Sequence, residues 1–191
     1  MNIEYEAKFT GINKNKMRAV LKVAGARLIR PEFRQKRINF DFPLGSPMQR
    51  GWIRLRDEQE RITLSIKTNP GKLISDQKEL QLIVDNFNAT KEFLKLLGCR
   101  QKSYQETKRE IWLVGRVEIC LDQWPHLKPF LEIEGDSEKS VRQVAEKLGF
   151  DWRKARFCAV GTLYHEKYGL AEKIINNQIT RFTFKGKNPF L

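Results

Sequence analysis

Apolar and polar residues alternate with a period of two along most of the first 135 positions, as in Ile3-Glu4-Tyr5-Glu6-Ala7-Lys8-Phe9 and Ile62-Thr63-Leu64-Ser65-Ile66-Lys67. Alternate side chains of a strand point to opposite faces, so each run reads as a strand with one apolar and one charged side. The pattern predicts strands over 2–9, 27–42, 51–57, 61–67, 74–85, 103–114, 116–122 and 129–134. Turn residues separate several of them: Pro43-Leu44-Gly45-Ser46-Pro47, Asn69-Pro70-Gly71 and Gly115. A helical period replaces the alternation over 13–24, 88–98 and 138–148. Asn13, Asn88 and Ser137 are the expected N-caps, and Gly25, Gly98 and Gly149 the expected stops. Ser137 lacks a Glu or Gln three residues on, so only ordinary capping is expected there. A fourth helix is expected over 160–175 and a last strand over 179–185, followed by an irregular tail.

The polar faces are dominated by Arg, Lys and Glu. Glu4, Glu6 and Lys8 share one face, as do Trp52, Arg54 and Arg56, then Glu118, Cys120 and Asp122, and then Phe130, Glu132 and Glu134. The plain reading is an antiparallel sheet with one wet face. Yet eight strands accompany only three or four helices. That ratio favours an α+β fold, an eight-stranded antiparallel closed β-barrel with helices packed outside. The charged faces then line a tunnel, where charges are costly unless paired or bound to a ligand.

The chain has 191 residues, with 36 Lys+Arg against 23 Asp+Glu, a net +13. Its length suits one domain, expected over 1–175, with a C-terminal strand and tail at 176–191 packed on it. The excess charge points to an anionic partner. It is unevenly placed: net +7 over 1–50, +2 over 51–100, −1 over 101–150 and +5 over 151–191. A site handling phosphate with a metal needs both signs; a plain nucleic-acid binder does not. The sequence has no apolar run long enough for a membrane helix and no secretory pattern at its start. Cys99, Cys120 and Cys158 form no CxxC pair and read as buried free thiols, so a cytoplasmic setting is expected.

Glu4-Tyr5-Glu6-Ala7-Lys8 places two carboxylates and an ammonium on one strand face. Paired carboxylates suit Mg²⁺ or Mn²⁺. Alone the motif is weak. It is followed in order by Arg54-Leu55-Arg56, Lys67, Glu79, Arg109, Asp122 and Glu132-Ile133-Glu134. That series resembles the CYTH superfamily, the triphosphate tunnel metalloenzymes that include class IV adenylyl cyclases and thiamine triphosphatases, over about residues 1–170.

The resemblance implies that Glu4, Glu6, Asp122, Glu132 and Glu134 hold catalytic metal, Mg²⁺ or Mn²⁺. It implies that Lys8, Arg54, Arg56, Lys67 and Arg109 grip phosphate oxygens, and Arg37, on the Gln35/Arg37/Asn39 face, is a further candidate. Lys8, Arg109 and Asp122 are the expected catalytic groups. Glu79, Gln81 and Glu118 are further candidates for the metal or its surroundings. Two positions depart from the family pattern: Gln81 stands where a second carboxylate is usual, and Thr107 where many members carry Lys. Lys102 is a candidate to compensate.

The implied substrate is a small molecule carrying a triphosphate, with phosphoanhydride hydrolysis favoured. A class IV-type adenylyl cyclase remains the alternative, and a non-catalytic polyphosphate- or RNA-binding module a third. Nucleic acid is a less favoured partner, and no membrane is expected. His126 reads as solvent-facing and His165 as a helix residue, neither as catalytic, and Trp52 reads as packing. The run Arg153, Lys154 and Arg156 reads as a solvated face. About six of the cations are expected inside the tunnel against about seven acids, leaving most of the +13 outside.

Overall fold

The computed structural model describes every residue except 49, 50, 69, 70 and 72. Nine strands follow one another around a nearly closed antiparallel barrel, in the order β1-β6-β5-β4-β3-β7-β8-β9-β2. They are β1 (Asn2–Ile3), β2 (Tyr5–Thr10), β3 (Arg27–Asp41), β4 (Trp52–Asp57), β5 (Ile62–Thr68), β6 (Lys78–Val84), β7 (Arg100–Val114), β8 (Val117–Gln123) and β9 (Phe130–Gly135). The expected count was eight. The difference lies in the N-terminal run, which bends at Glu4. Asn2 and Ile3 pair with β6, and Tyr5 to Thr10 pair with β9. At the bend Glu4 donates its N–H to Gln77 O at 2.9 Å. One segment thus bridges both ends of the sheet and brings its two edges together.

Helices α1 (Lys14–Val23), α2 (Phe87–Leu96) and α3 (Glu138–Lys147) cover the outside. Val141, Val144 and Ala145 of α3 and Met17 and Leu21 of α1 pack with Ile119, Leu121, Leu131 and Ile133 from the wall. Leu94 of α2 packs with Ile38, Phe40, Ile53 and Leu55. The apolar strand faces therefore point outward, and the core lies between wall and helices.

Several boundaries move. The 74–85 run opens with a 3₁₀ turn, Ile74–Asp76, before β6, and β7 begins at Arg100, ahead of the expected 103. Asn86 caps α2 in place of Asn88, accepting from the Ala89 N–H at 2.9 Å. Ser140 completes a capping box with Ser137, because its hydroxyl reaches the Ser137 N–H at 3.3 Å as a longer Glu would.

The expected helix 160–175 is two: α4 (Val160–Tyr168) and α5 (Glu172–Asn177). Gly169 ends α4 at φ 72°, a left-handed cap that glycine adopts without Cβ strain. The strand expected over 179–185 reduces to β10 (Arg181–Phe182), parallel to β7 at Tyr104 and Gln105. Beyond it Thr183 turns its hydroxyl onto Lys185 O at 2.7 Å, which ends the ladder. Phe182 and Phe190 are buried with Trp124, Phe130, Tyr164 and Ile175, so α4, α5 and the tail form a second apolar layer at one end of the barrel. In the predicted turn at 69–71, residues 69 and 70 lie outside the described residues.

No helix among the described residues is long and apolar enough to cross a membrane. Cys99 and Cys120 are buried and Cys158 half-buried, all three free.

Candidate functional site

The barrel encloses a cavity of about 530 Å³ lined by seven carboxylates and seven cations. The acids are Glu4, Glu6, Glu58, Glu79, Glu118, Glu132 and Glu134; the cations are Arg37, Arg54, Arg56, Arg61, Lys67, Arg109 and Arg116. Period-two spacing puts them there. Glu6 on β2 sits opposite Glu134 on β9, and Lys8 opposite Glu132. Arg54 and Arg56 on β4 lie beside Ser65 and Thr63 on β5, small residues that leave room for the guanidiniums.

The charges sort into distinct groups. Glu4, Glu6 and Glu134 bring one carboxylate oxygen each within 4.8 Å of one another, an arrangement able to hold a cation. Gln77 ties two of them together, donating to Glu4 Oε2 at 2.5 Å and Glu6 Oε2 at 3.3 Å. Lys67 pairs with Glu4 at 2.7 Å and Glu79 at 3.3 Å, and Glu79 also takes Arg54 at 2.8 Å. Lys8 is ion-paired with Glu6 and lies 3.5 Å from Glu132. Arg109 forks onto Asp122 at 2.8 and 2.6 Å and reaches Glu132 at 2.6 Å.

Asp122 and Glu132, expected among the metal ligands, are thus placed at Arg109, outside the trio. Asp122 is only 1% exposed and does not line the cavity. Glu118 and Glu79 line it without joining the trio. Gln81 accepts from the Ser65 hydroxyl at 3.3 Å.

Across the cavity the guanidiniums are incompletely satisfied. The Nε atoms of Arg37, Arg54 and Arg56 are buried without an acceptor among the described residues. Arg37 has no carboxylate in ion-pair reach among them. Its Nη2 donates to Gln35 Oε1 and to Thr107 Oγ1, each at 2.8 Å, and its plane lies 4.7 Å from the Trp124 ring centre. Thr107 therefore orients a cation in place of supplying one. Buried donors without acceptors are uncommon, and all three arginines line the cavity.

The ionisation behaviour follows from these neighbours. Burial works against the Arg109 charge, but Asp122 and Glu132 outweigh it and hold its pKa well above the ordinary value. Burial likewise opposes Glu132 ionisation, and Arg109 and Lys8 overcome it. Arg54 and Lys67 overcome the same burial at Glu79 and draw it down to about 2. Burial, then the neighbouring Arg54, lowers Arg56 to about 10. Burial and the like charges of Arg56 and Arg54 also lower Arg37. Glu134 goes the other way: burial first, then Glu4, raise it to about 7.

A carboxyl raised in the folded state binds more protons there than in the unfolded chain. Its contribution to stability is full below the unfolded value near 4.5 and is lost as pH rises through about 7. A divalent cation at the trio offsets this loss by favouring the ionised form. The increment in Tm given by Mg²⁺ or Mn²⁺ is accordingly expected to grow between pH 5.5 and pH 8, as thermal melts with and without metal would show. An increment that does not depend on pH counts against a cation at Glu134.

Sequence reasoning passed over Glu58, which is 3% exposed and pairs with Arg56 at 2.6 Å and Arg61 at 2.5 Å. Its signal was present: Glu58 continues the Arg54, Arg56 face by two residues, one position past the end of the predicted strand. Gln77 was also legible, two residues before Glu79 on the same face of the predicted 74–85 run, whereas Trp124 lies one residue past β8, beyond the end of the predicted strand. Lys102 pairs with Asp41 at 3.0 Å. His126 and His165 do not line this cavity. In the basic run, Arg153 pairs with Asp151 at 2.8 Å and Arg156 with Glu166.

The same fold occurs in solved structures of low sequence identity. A candidate adenylate cyclase from Vibrio parahaemolyticus superposes with a TM-score of 0.71 at 15% identity, over 85% of this chain and 97% of that one. A conserved hypothetical protein from Pyrococcus furiosus gives 0.68 at 19%, over 82% and 96%. A candidate adenylyl cyclase from Hippeastrum, described as having a dominant triphosphatase activity, gives 0.60 at 12%, over 90% and 97%. No curated protein matches the sequence. The family model for the CYTH domain matches residues 2–158, most of the chain, and the protein belongs to the CYTH domain family.

Proposed function

We propose that the protein is a divalent-metal-dependent triphosphatase that holds the phosphate chain of its substrate inside the barrel. The observation that carries this reading is the carboxylate trio Glu4, Glu6 and Glu134 set in one cavity with three guanidiniums whose buried Nε donors lack acceptors. Oxygen-only ligands of this kind suit Mg²⁺ or Mn²⁺. A cation bound there would neutralise phosphate charge and make a water more acidic.

The protein's own side chains do the rest. Arg54, Arg56 and Arg37 donate to phosphate oxygens with planar forks. Lys8 and Lys67 supply compact charge beside the carboxylates. Arg109 stabilises developing charge while its own pKa keeps it protonated throughout. Asp122, with both oxygens engaged by Arg109, acts as a positioning residue that fixes that guanidinium. Seven carboxylates against seven cations leave little net charge in the cavity, so a polyanion enters together with its metal.

Incubation with ATP and Mn²⁺, followed by product identification, tests the reaction class. ADP and phosphate are the expected products. Cyclic AMP with pyrophosphate would replace this reading by the cyclase. Salt-sensitive binding with no products would replace it by a binding module.

A further inference from the structure

The barrel leaves one strand edge open. β6 pairs with β5 along its whole length. On its other side β1 covers only Lys78 and Glu79, and no described strand pairs with Leu80 to Val84 there. The N–H and C=O of successive residues point to opposite sides of a strand. Gln77 O accepts the Glu4 N–H on the β1 side, so Gln81 and Ile83, in step with it, turn their backbone groups to the open side. Such an edge is a template for another strand.

The outer face of the same strand is apolar. Leu80, Leu82 and Val84 stand opposite Ile66, Leu64 and Ile62 of β5. Leu80 is 47% exposed, Leu82 55% and Ile83 74%. α2 follows β6 and packs on the adjoining wall through Leu94, and it leaves Phe93, Leu96 and Leu97 exposed. Edges are ordinarily guarded by charge, proline or a bulge. Residues 80–84 carry no charge and no proline in a chain of net +13, and their register with β5 runs without a bulge. At roughly 180 Å² for a fully exposed large apolar residue, the six exposures amount to about 700 Å², close to the ~800 Å² each partner gives to a standard interface.

We infer that β6 pairs with β6 of a second copy of this chain, antiparallel about a two-fold axis at Leu82. The stretch is complementary to itself in that register. Gln81 of each chain exchanges both backbone hydrogen bonds with Ile83 of the other. On the outer face Leu82 meets its own copy, and Leu80 meets the copy of Val84. A two-fold contact of this kind closes, so assembly stops at a dimer.

Sedimentation velocity at about 0.3 M salt, which screens repulsion between two chains of +13, tests the inference. The unaltered protein is expected to be a dimer above roughly 10 µM, an ordinary affinity for an interface of this size. Leu82→Lys sets two ammonium groups together at the axis and is expected to weaken association at least tenfold with an unchanged circular dichroism spectrum. Val23→Lys, at an equally exposed position on α1, is expected to leave the dimer intact. Leu82→Cys is expected to join two copies by a disulfide on mild oxidation, because Cα atoms of a non-hydrogen-bonded antiparallel pair lie about 4.5 Å apart. The unaltered protein, with its cysteines buried or half-buried, is expected to form none. A monomer at every concentration would overturn the inference and leave the edge to a strand of another protein. A dimer that survives Leu82→Lys and forms no disulfide with Leu82→Cys would overturn it, as would equal weakening by Val23→Lys.

Discussion

Glu134→Gln is expected to lower triphosphate turnover by about 10³-fold or more, while the metal-free protein becomes more stable at pH 8. The first effect follows from removing one of three carboxylates that converge on a cation. Metal contributes several kcal/mol to the transition state of such reactions, and each ~1.4 kcal/mol is tenfold in rate. The second follows from the folded pKa of about 7, which reflects burial and the proximity of Glu4. Glu134 has no ion-pair partner among the described residues, so an amide of the same shape strands no cation. Saturating Mg²⁺ or Mn²⁺ is expected to raise the Tm of the variant less than that of the unaltered protein. A variant of undiminished turnover would remove Glu134 from the metal site. A variant that loses turnover and also melts lower at pH 8 would point to a packing defect.

Arg109→Met is expected to destabilise the fold by about 3–5 kcal/mol, the cost of removing one partner from a buried ion-pair network. Arg109 makes bonds of 2.6–2.8 Å to Asp122 and Glu132, both buried in the wall. Removing it leaves buried Asp122 without a cation and Glu132 with Lys8 alone, 3.5 Å away. Their pKa values then rise, so the loss is greatest near neutral pH and diminishes as acid protonates them. Arg109→Lys recovers only part of the loss, because an ammonium cannot fork onto Asp122 and reach Glu132 at once. Urea denaturation at pH 7.5 and pH 4.5 would measure both effects. A cost under about 1 kcal/mol at pH 7.5 would mean that water or Lys8 satisfies these acids once the guanidinium is gone.

Much of this arrangement was readable from one-dimensional pattern. Strict alternation in 2–9, 51–57, 61–67 and 129–134 dictates which side chains turn inward, because a strand has only two faces. Glu4, Glu6, Arg54, Arg56, Lys67, Glu132 and Glu134 follow directly, and all line the cavity. The barrel followed from too few helices to bury a flat sheet of that many strands.

Pairings across the interior were less accessible. Whether Asp122 meets a metal or an arginine depends on register between β7 and β8, which sets Arg109 opposite Asp122. Alternation within one strand carries no information about its neighbour. The expected balance of about six cations against seven acids became seven against seven, because Arg61 and Arg116, just outside the strands, line the cavity and Lys8 does not. The C-terminal third was least legible. Val160 to Phe182 forms short elements broken at Gly169, and its place at the end of the barrel depends on long-range packing against Trp124 and Phe130. A hydrophobic pattern shows that such residues are buried, not what they enclose.

The most direct measurement is phosphate release from inorganic tripolyphosphate by the purified protein with Mg²⁺ or Mn²⁺, and again after chelation with EDTA. Tripolyphosphate carries the phosphate chain and nothing else, so it isolates the chemistry of the cavity from recognition of any organic group. Metal-dependent release of phosphate, abolished by EDTA and by Glu134→Gln, is the expected result. Turnover that persists without divalent metal, or tight binding of tripolyphosphate with no phosphate released under any metal, would contradict it.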